Sequence, residues 1–285
     1  MRVLVTGATG FIGCHLIPRL LTDGHEVEAV VRGEGAEVAD GATVVLADLS
    51  RPVESGTLPD ADAVIHLAQA NVPWPDAARE LYAVNTRSTL DLLDHAARTG
   101  ARVFVHASSG SVYGAGADVR REDDPDRADD FYARTKQHAE QLVHAYSDRL
   151  STVVLRLFAP YGPGQSGRLV PALIDRVRNG KPVTLNEGGR PRLTPTYVDD
   201  VVDAMIASLG VEGHVVANVA GDETVSIREL AELIGQAVDR EPIFEDGDAT
   251  VGGDMLGAND RMRSVLGLDR LVPLEEGLAR TVPRR

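Results

Sequence analysis

Cysteine is almost missing from this 285-residue chain, which contains only Cys14. One thiol excludes an intrachain disulfide framework and a thiolate zinc cluster. Basic residues are outnumbered as well: 29 Lys and Arg stand against 43 Asp and Glu, for a formal net charge of −14. That balance repels nucleic-acid phosphate and an anionic membrane surface, so neither is expected as a partner. An anionic small molecule answers to the local field of its pocket and is not excluded. No window approaches the ~18 consecutive apolar residues of a membrane span. The stretch Met1–Gly7 lacks the apolar run of a signal peptide, so a cytoplasmic location is expected. Repeats, low-complexity tracts and long linkers are missing too. His15, His66, His95, His106, His138 and His144 are scattered without metal-ligand spacing, and no metal is expected.

What the chain does have is 43% hydrophobic residues, enough for a sizeable core. At roughly 150 residues per domain its length suits about two lobes. Short β-branched runs alternate with helical patterns. Strands are expected at Arg2–Thr6, Glu26–Val31, Thr43–Ala47, Ala63–Leu67, Ala101–Ala107 and Ser151–Leu157. Helices are expected at Phe11–Thr22, Asp76–Arg98 and Asp130–Asp148. Several strands are apolar on both sides of the alternation, as parallel strands covered by helices on two faces are. The expected fold class is α/β, a doubly wound parallel sheet of the Rossmann type.

After Leu157 the rhythm breaks. A Gly- and Pro-rich loop (Ala159–Gly167) leads to a helix (Leu169–Asn179), a short strand (Val183–Leu185), a helix (Val198–Leu209) and a strand (Val215–Val219). Ser226-Ile227-Arg228-Glu229 is a capping-box pattern opening a helix to about Asp239. The expected division is a dinucleotide-binding domain of 1–157 plus about 196–220, and a smaller, discontinuous C-terminal substrate lobe of about 158–195 plus 221–285. The lobe would lie over the carboxyl ends of the strands, where such sheets bind ligands.

Thr6-Gly7-Ala8-Thr9-Gly10-Phe11-Ile12-Gly13 joins the first strand to the first helix. Gly7 permits a tight turn, Gly10 clears the way for backbone to approach a pyrophosphate, and Gly13 lets the helix pack closely on the strand. The phosphates then meet unpaired N–H groups at a helix N-terminus. The strand before and the amphipathic helix after give this fingerprint its specificity. The second strand ends Val30-Val31-Arg32-Gly33, where an NAD site would usually carry an acid for the ribose hydroxyls. A cation there suits a 2′-phosphate, so NADP(H) is expected over NAD(H), the alternative being a solvated strand-end arginine. Asp48 closes the third strand, placed either to reach the adenine edge or to cap the loop from Ser50.

Tyr132-Ala133-Arg134-Thr135-Lys136 puts a phenol and an ammonium four residues apart on one helix face. At its unperturbed pKa of about 10 a tyrosine is a poor base. The lysine, and a nicotinamide ring when oxidised, are expected to bring it towards working pH. Ser109 ends the fifth strand, where its hydroxyl can hold the substrate oxygen that exchanges a proton with Tyr132. Ser108, Gly110 and Ser111 beside it are candidate substrate contacts.

On these residues the chain resembles the extended short-chain dehydrogenase/reductases grouped as NAD(P)-dependent nucleotide-sugar epimerases and dehydratases. The likeness runs from end to end. Thr6–Gly13 matches the cofactor loop, Asp48-Leu49 the adenine contact, His66-Leu67-Ala68 the strand beside the cofactor and Val84-Asn85 the helix asparagine. Ser109, Tyr132 and Lys136 match the catalytic residues. Leu155-Arg156-Leu157-Phe158 and Tyr161–Gly164 match the entry to the substrate lobe, and Tyr197–Val201 the return to the core. The resemblance implies hydride transfer with NAD(P)(H) at a secondary alcohol or ketone of a sugar-like, nucleotide-linked substrate. Tyr132 would exchange the proton, Lys136 tune it and hold the ribose, and Ser109 orient the oxygen. Gly7, Thr9, Gly10, Phe11, Ile12, Gly13, Arg32, Asp48, Leu49, Leu67, Ala68, Gln69 and Asn85, with Tyr132 and Lys136, are the expected cofactor contacts.

The departures from the family are informative. Gly110-Ser111 stand where dehydratases carry Asp-Glu, so dehydration is disfavoured. Ala159 stands where sugar-nucleotide members usually carry asparagine, and Gln69 where a small residue is typical. Arg156, Arg168 and Arg192 are candidates for gripping a phosphate or carboxylate; of these only Arg192 resembles a family substrate arginine, and with Ala159 and Tyr197 it completes the expected substrate contacts. Arg32 and Ala159 favour a 4-ketoreductase, whereas the family likeness favours a 4-epimerase. A non-catalytic NADP-binding sensor on the same fold is the rival from another class, opposed by retention of Ser109, Tyr132 and Lys136 together. The likeness also implies a two-fold homodimer through paired helices, with Leu90, Leu93 and Ala97 on one and Ala139, Leu142 and Val143 on the other.

Overall fold

Strands without a polar face need cover on both sides, and the chain supplies it by winding outwards twice from one central strand. The computed structural model describes residues 1–250 and 253–282. Its main sheet has seven parallel strands: β1 (Arg2–Thr6), β2 (Glu26–Val31), β3 (Thr43–Leu46), β4 (Ala63–His66), β5 (Val103–Ser109), β6 (Ser151–Leu157) and β7 (His214–Val219). Their spatial order is β7-β6-β5-β4-β1-β2-β3. The chain moves from β1 to β2 and β3, then returns to place β4 on the other side of β1, with Val3 opposite both Val27 and Ala63. The order therefore reverses between β1 and β4, and the crevice beyond their carboxyl ends is where such sheets take ligands.

Side-chain alternation sends Val3, Val5, Ala29, Ile65 and Val105 to one face, packed with Leu16, Ile17 and Leu20 of α1 (Phe11–Thr22) and Val201 and Met205 of α6 (Val198–Ala207). Leu4, Val30, Val64, Phe104 and Val154 face the other way. They meet Leu92, Leu93 and Ala96 of α3 (Ser88–Thr99) and Val143 of α4 (Phe131–Ala145). Each fully buried Val, Leu, Ile, Phe or Met among them contributes about 1.5–3 kcal/mol, and the alanines less. α3 is preceded by a short α2 (Ala78–Tyr82) and a single π-helical turn, Ala83–Arg87. β5 begins two residues later than expected and runs on to Ser109, while the other expected strand limits hold to within one residue.

Beyond β6 the chain builds a second core. α5 (Leu169–Arg178), α7 (Ile227–Val238) and α9 (Leu274–Thr281) bury Leu173, Ile174, Leu230, Ile234 and Leu278 together with Tyr161. α8 (Asp260–Leu266) instead returns Met262 to the sheet. The capping box at α7 is formed: Ser226 Oγ accepts from Glu229 N at 3.2 Å, and the Glu229 carboxylate accepts from Ser226 N at 2.7 Å. Such a cap contributes about 1 kcal/mol. Leu93, Ala139 and Val143 are wholly buried within the chain, so they are corrected as expected dimer contacts. No helix among the described residues is long and apolar enough to cross a membrane.

Candidate active site

The turn after β1 leaves room for backbone and little else. Gly7 has a φ of +69°, and a Cβ there would sit 2.8 Å from the Ala68 nitrogen. At Gly13 a Cβ would lie 2.4 Å from the Gly7 carbonyl oxygen and 2.6 Å from that of Ala8. Gly13 is thus demanded by the turn itself rather than by packing on the strand. Gly10 is the N-cap of α1 and brings no side-chain hydrogen bond. The first-turn N–H groups and the positive end of the helix dipole are left open to an anion.

A cavity of about 1210 Å³ starts at this turn and extends to α5. Gly7, Thr9, Gly10, Phe11, Ile12, Gly13, Arg32, Asp48, Leu49, Leu67, Ala68 and Gln69 line it, as do Ser108, Ser109, Ser111, Tyr132 and Ala159. A neighbouring cavity of about 1010 Å³ shares Arg32, Asp48 and Ser50 with it. Asp48 turns out to cap the following loop while facing the cavity: its Oδ1 accepts from Ser50 Oγ at 2.7 Å and from Ser50 N at 3.0 Å. Those bonds hold its carboxyl below the ordinary range, with smaller help from Arg51 and Arg32.

Ser109 ends β5 and caps a 3-10 turn, its Oγ accepting from Ser111 N at 3.2 Å. Tyr132 lies in the first turn of α4, which is capped by Asp130 accepting from Ala133 N at 2.6 Å. The Tyr132 hydroxyl donates to Gln69 Oε1 at 2.9 Å. Burial pushes the phenol up to about 12; a hydrogen bond with Ser109 and the charge of Arg168 pull it down, and Asp130 pushes it up. Arg168 lines the same cavity from the N-cap of α5. With the Asn71 amide turned so that its oxygen faces the guanidinium, that oxygen accepts from Arg168 Nη1 at 2.6 Å and Nη2 at 3.1 Å.

Five expected contacts lie elsewhere. Lys136 is 1% exposed, and its Nζ donates to the Ala107 carbonyl at 2.6 Å instead of reaching the cavity. Burial draws its ammonium down to about 8, against the pull of Glu140. The phenol is shifted chiefly by burial, Ser109, Arg168 and Asp130 rather than by this lysine, whose ammonium keeps its charge and two further N–H groups beside the one given to Ala107. Asn85 is buried in the π-helical turn, where its amide accepts from Ala70 N at 2.7 Å and donates to Ala70 O at 3.0 Å and Thr135 Oγ1 at 3.1 Å. It fastens the loop after β4 to α4 and is no cofactor contact. At Gly110 a Cβ would meet the Phe158 ring at 2.6 Å, so that position faces Phe158. Arg192 is held away by Asp254, to which its Nε and Nη2 donate at 2.9 and 2.7 Å. Tyr197 is the buried N-cap of α6, packed on the Tyr161 ring at 5.6 Å.

Arg156 is likewise structural: it donates to Glu140 and to Asp126 and lies over the Tyr113 ring. Sequence reasoning missed Asn71, Asp130, Leu193 and Met255 as cavity-lining residues. Asp130 carries a helix-cap signal that marks it; Met255 arrives from a distant segment with no local signal.

Residues 3–220 match the model of the NAD dependent epimerase/dehydratase family. UDP-glucose 4-epimerase of Mycolicibacterium smegmatis is 35% identical over 99% of this chain and 97% of its own. dTDP-4-dehydro-6-deoxy-D-allose reductase of a Streptomyces species is 32% identical over 98% of this chain and 94% of its own. The solved structure of MoeE5 in complex with UDP-glucuronic acid and NAD is 32% identical, with a TM-score of 0.88 over 99% of this chain and 98% of that one.

Proposed function

The chain belongs to the NAD dependent epimerase/dehydratase family, and on that premise we propose that it is a nicotinamide-dependent nucleotide-sugar 4-epimerase. The observation that carries this reading is Tyr132, whose hydroxyl meets Ser109 and Gln69 in the cavity that begins at the uncapped N-terminus of α1. That turn fits a dinucleotide: Gly7 and Gly13 admit no side chain, and the free N–H groups suit a pyrophosphate. When bound, the nicotinamide supplies the acceptor and donor for a hydride that leaves one sugar carbon and returns to its other face.

Tyr132 takes the proton of the hydroxyl on that carbon and gives it back when the carbonyl is reduced, while Ser109 holds the oxygen in place. Positioned proton transfer of this kind contributes about 10²–10⁴-fold in rate. Because burial favours the neutral phenol, the site needs positive charge near Tyr132; Arg168 faces it from the substrate side. Gly110 and Ser111 bring no carboxylate, which argues against dehydration.

The epimerase from Mycolicibacterium smegmatis and the UDP-glucuronic acid held by MoeE5 support a UDP-hexose or UDP-hexuronate substrate. We take NAD(H) as the cofactor, since MoeE5 holds NAD; this replaces the NADP(H) preference expected from Arg32. A second reading, a 4-ketoreductase using NADP(H), is favoured by Arg32 at the cavity rim and by the Streptomyces reductase. We also assign 1–157 with about 196–220 to the dinucleotide-binding domain and the remainder to the substrate lobe, and place the enzyme in the cytoplasm as a two-fold homodimer.

Incubation with UDP-glucuronic acid or UDP-glucose and catalytic NAD, followed by proton NMR of the products, tests the leading reading. Appearance of the C4 epimer, abolished by Tyr132→Phe, is expected. Stoichiometric NADPH oxidation by a 4-keto sugar, without epimer formation, would establish the reductase instead.

A further inference from the structure

We propose that Gln69 is a positioning residue for Tyr132 that keeps the phenol oxygen hydrogen-bonded in both of its protonation states. The inference rests on the reading of Tyr132 as the proton-exchanging group. A glutamine amide offers a carbonyl that accepts and an NH₂ that donates. In the structure Gln69 Oε1 accepts from the Tyr132 hydroxyl at 2.9 Å. Once the proton has gone to substrate, a half-turn of the amide presents Nε2–H to the phenolate oxygen.

The contact is built from below. On one side of Gln69, Ala68 N donates to Thr6 Oγ1 at 3.2 Å. On the other, Ala70 N donates to Asn85 Oδ1 at 2.7 Å and Ala70 O accepts from Asn85 Nδ2 at 3.0 Å. The same Asn85 Nδ2 donates to Thr135 Oγ1, which in turn donates to the Tyr132 carbonyl at 2.7 Å. One buried amide thus sets the loop of Gln69 and the helix of Tyr132 in a common register.

The other groups near the phenol cannot replace this role. Arg168, from α5, can only donate. Ser109, from β5, also meets the phenol, but in the proposed reaction its hydroxyl is given to the substrate oxygen. Asp130, at the α4 cap, is a carboxylate and brings no donor to a phenolate. Lys136, one turn along α4, is bound to the Ala107 carbonyl.

The test uses Gln69→Glu and Gln69→Leu, each paired with its Tyr132→Phe double variant. Phenol ionisation is read by ultraviolet difference between members of a pair, and the pH profile of kcat/KM is recorded alongside. A carboxylate can accept from the phenol but cannot donate to the phenolate. Gln69→Glu is therefore expected to move both titrations up by at least about one pH unit, a roughly tenfold loss of phenolate at fixed pH. Gln69→Leu removes both bonds, and the charge-assisted one is the stronger; a smaller upward shift is expected.

If Gln69→Leu titrates as wild type does, any shift in Gln69→Glu is the effect of charge alone and the proposal is overturned. Coincident titration of all three proteins overturns it as well. The ultraviolet titration needs no turnover. Should wild type epimerise nothing, the function fails while the Gln69 contact is still decided.

Discussion

Acid should unfold this protein partly through two histidines that the sheet has sealed off. His66 ends β4 and His106 lies in β5; both are 1% exposed, with ring centroids 5.4 Å apart. Burial, with Lys136 nearby, lowers His66 to about 3 and His106 well below 6.5. In the unfolded chain each takes a proton near pH 6.5, which the native fold resists. Stability conferred by the neutral rings is full above that pH and falls as pH drops, through a window reaching to about 3 for His66. Each such proton changes stability by about 1.4 kcal/mol per pH unit. For His66, going from pH 6.5 to 5 therefore costs about 2 kcal/mol.

Asp200 runs the other way. Burial raises its carboxyl to about 7, so it takes a proton in the native state first and offsets part of the wild-type slope. A comparison that cancels Asp200 is sharper. Neither ring nitrogen of His106 has a hydrogen-bond partner among the described residues, whereas His66 pairs with Thr6 and Thr89. His106→Leu should consequently cost little at pH 7.5, under about 1.5 kcal/mol. It should flatten the pH dependence below 6.5 by one proton, about 1.4 kcal/mol per unit. Urea unfolding of both proteins at pH 7.5, 6.5, 5.8 and 5 measures this. Parallel stability curves would refute the assignment of acid sensitivity to His106.

Gly13→Ala should destabilise the fold by about 1–3 kcal/mol, the usual cost of overpacking, because the facing Gly7 and Ala8 oxygens are backbone. Calorimetry should also show cofactor binding weakened. Ala159 has a φ of 39°, a left-handed conformation that asparagine tolerates better than alanine. Ala159→Asn is therefore expected to raise the midpoint of thermal unfolding, and a lowered midpoint would contradict the strain argument. Arg32→Asp should move the NADPH-to-NADH affinity ratio towards NADH by roughly ten- to hundredfold, the worth of a charge-assisted bond to a 2′-phosphate. An unchanged ratio in titration calorimetry would put Arg32 outside the ribose site.

Local pattern made most of the scaffold legible. The strand from Arg2 to Thr6, the helix from Phe11 to Thr22 and the capping box at Ser226 each follow from neighbours within a few residues, and the structure shows them as expected. Ser109 and Tyr132 were legible because a strand end and a helix start aim them at the same crevice. Contacts that join distant segments were not. Arg192 is four residues before Thr196 in sequence but belongs to Asp254, 62 residues on. No periodicity tells which way a guanidinium swings. Asn85 was read as a cofactor contact from its match to the family's helix asparagine; only the fold shows Ala70 and Thr135 completing its hydrogen bonds. Lys136 shares a helix face with Tyr132, yet its ammonium is turned to the Ala107 carbonyl of β5, which no spacing announces.

The π-helical turn at Ala83–Arg87 also says where this chain can bear the loss of a residue. A wide turn holds one more residue per hydrogen-bonded ring than the α-helix around it. Removing one amino acid there would let the wide turn close to an ordinary one, fusing α2 and α3 into an uninterrupted α-helix with little net rotation of what lies beyond. Leu92, Leu93 and Ala96 would keep their places against the sheet, and the local loss would fall on the bonds of Asn85 to Ala70 and Thr135. The same deletion inside the regular turns of α3 would instead swing those three side chains by about 100° off the sheet.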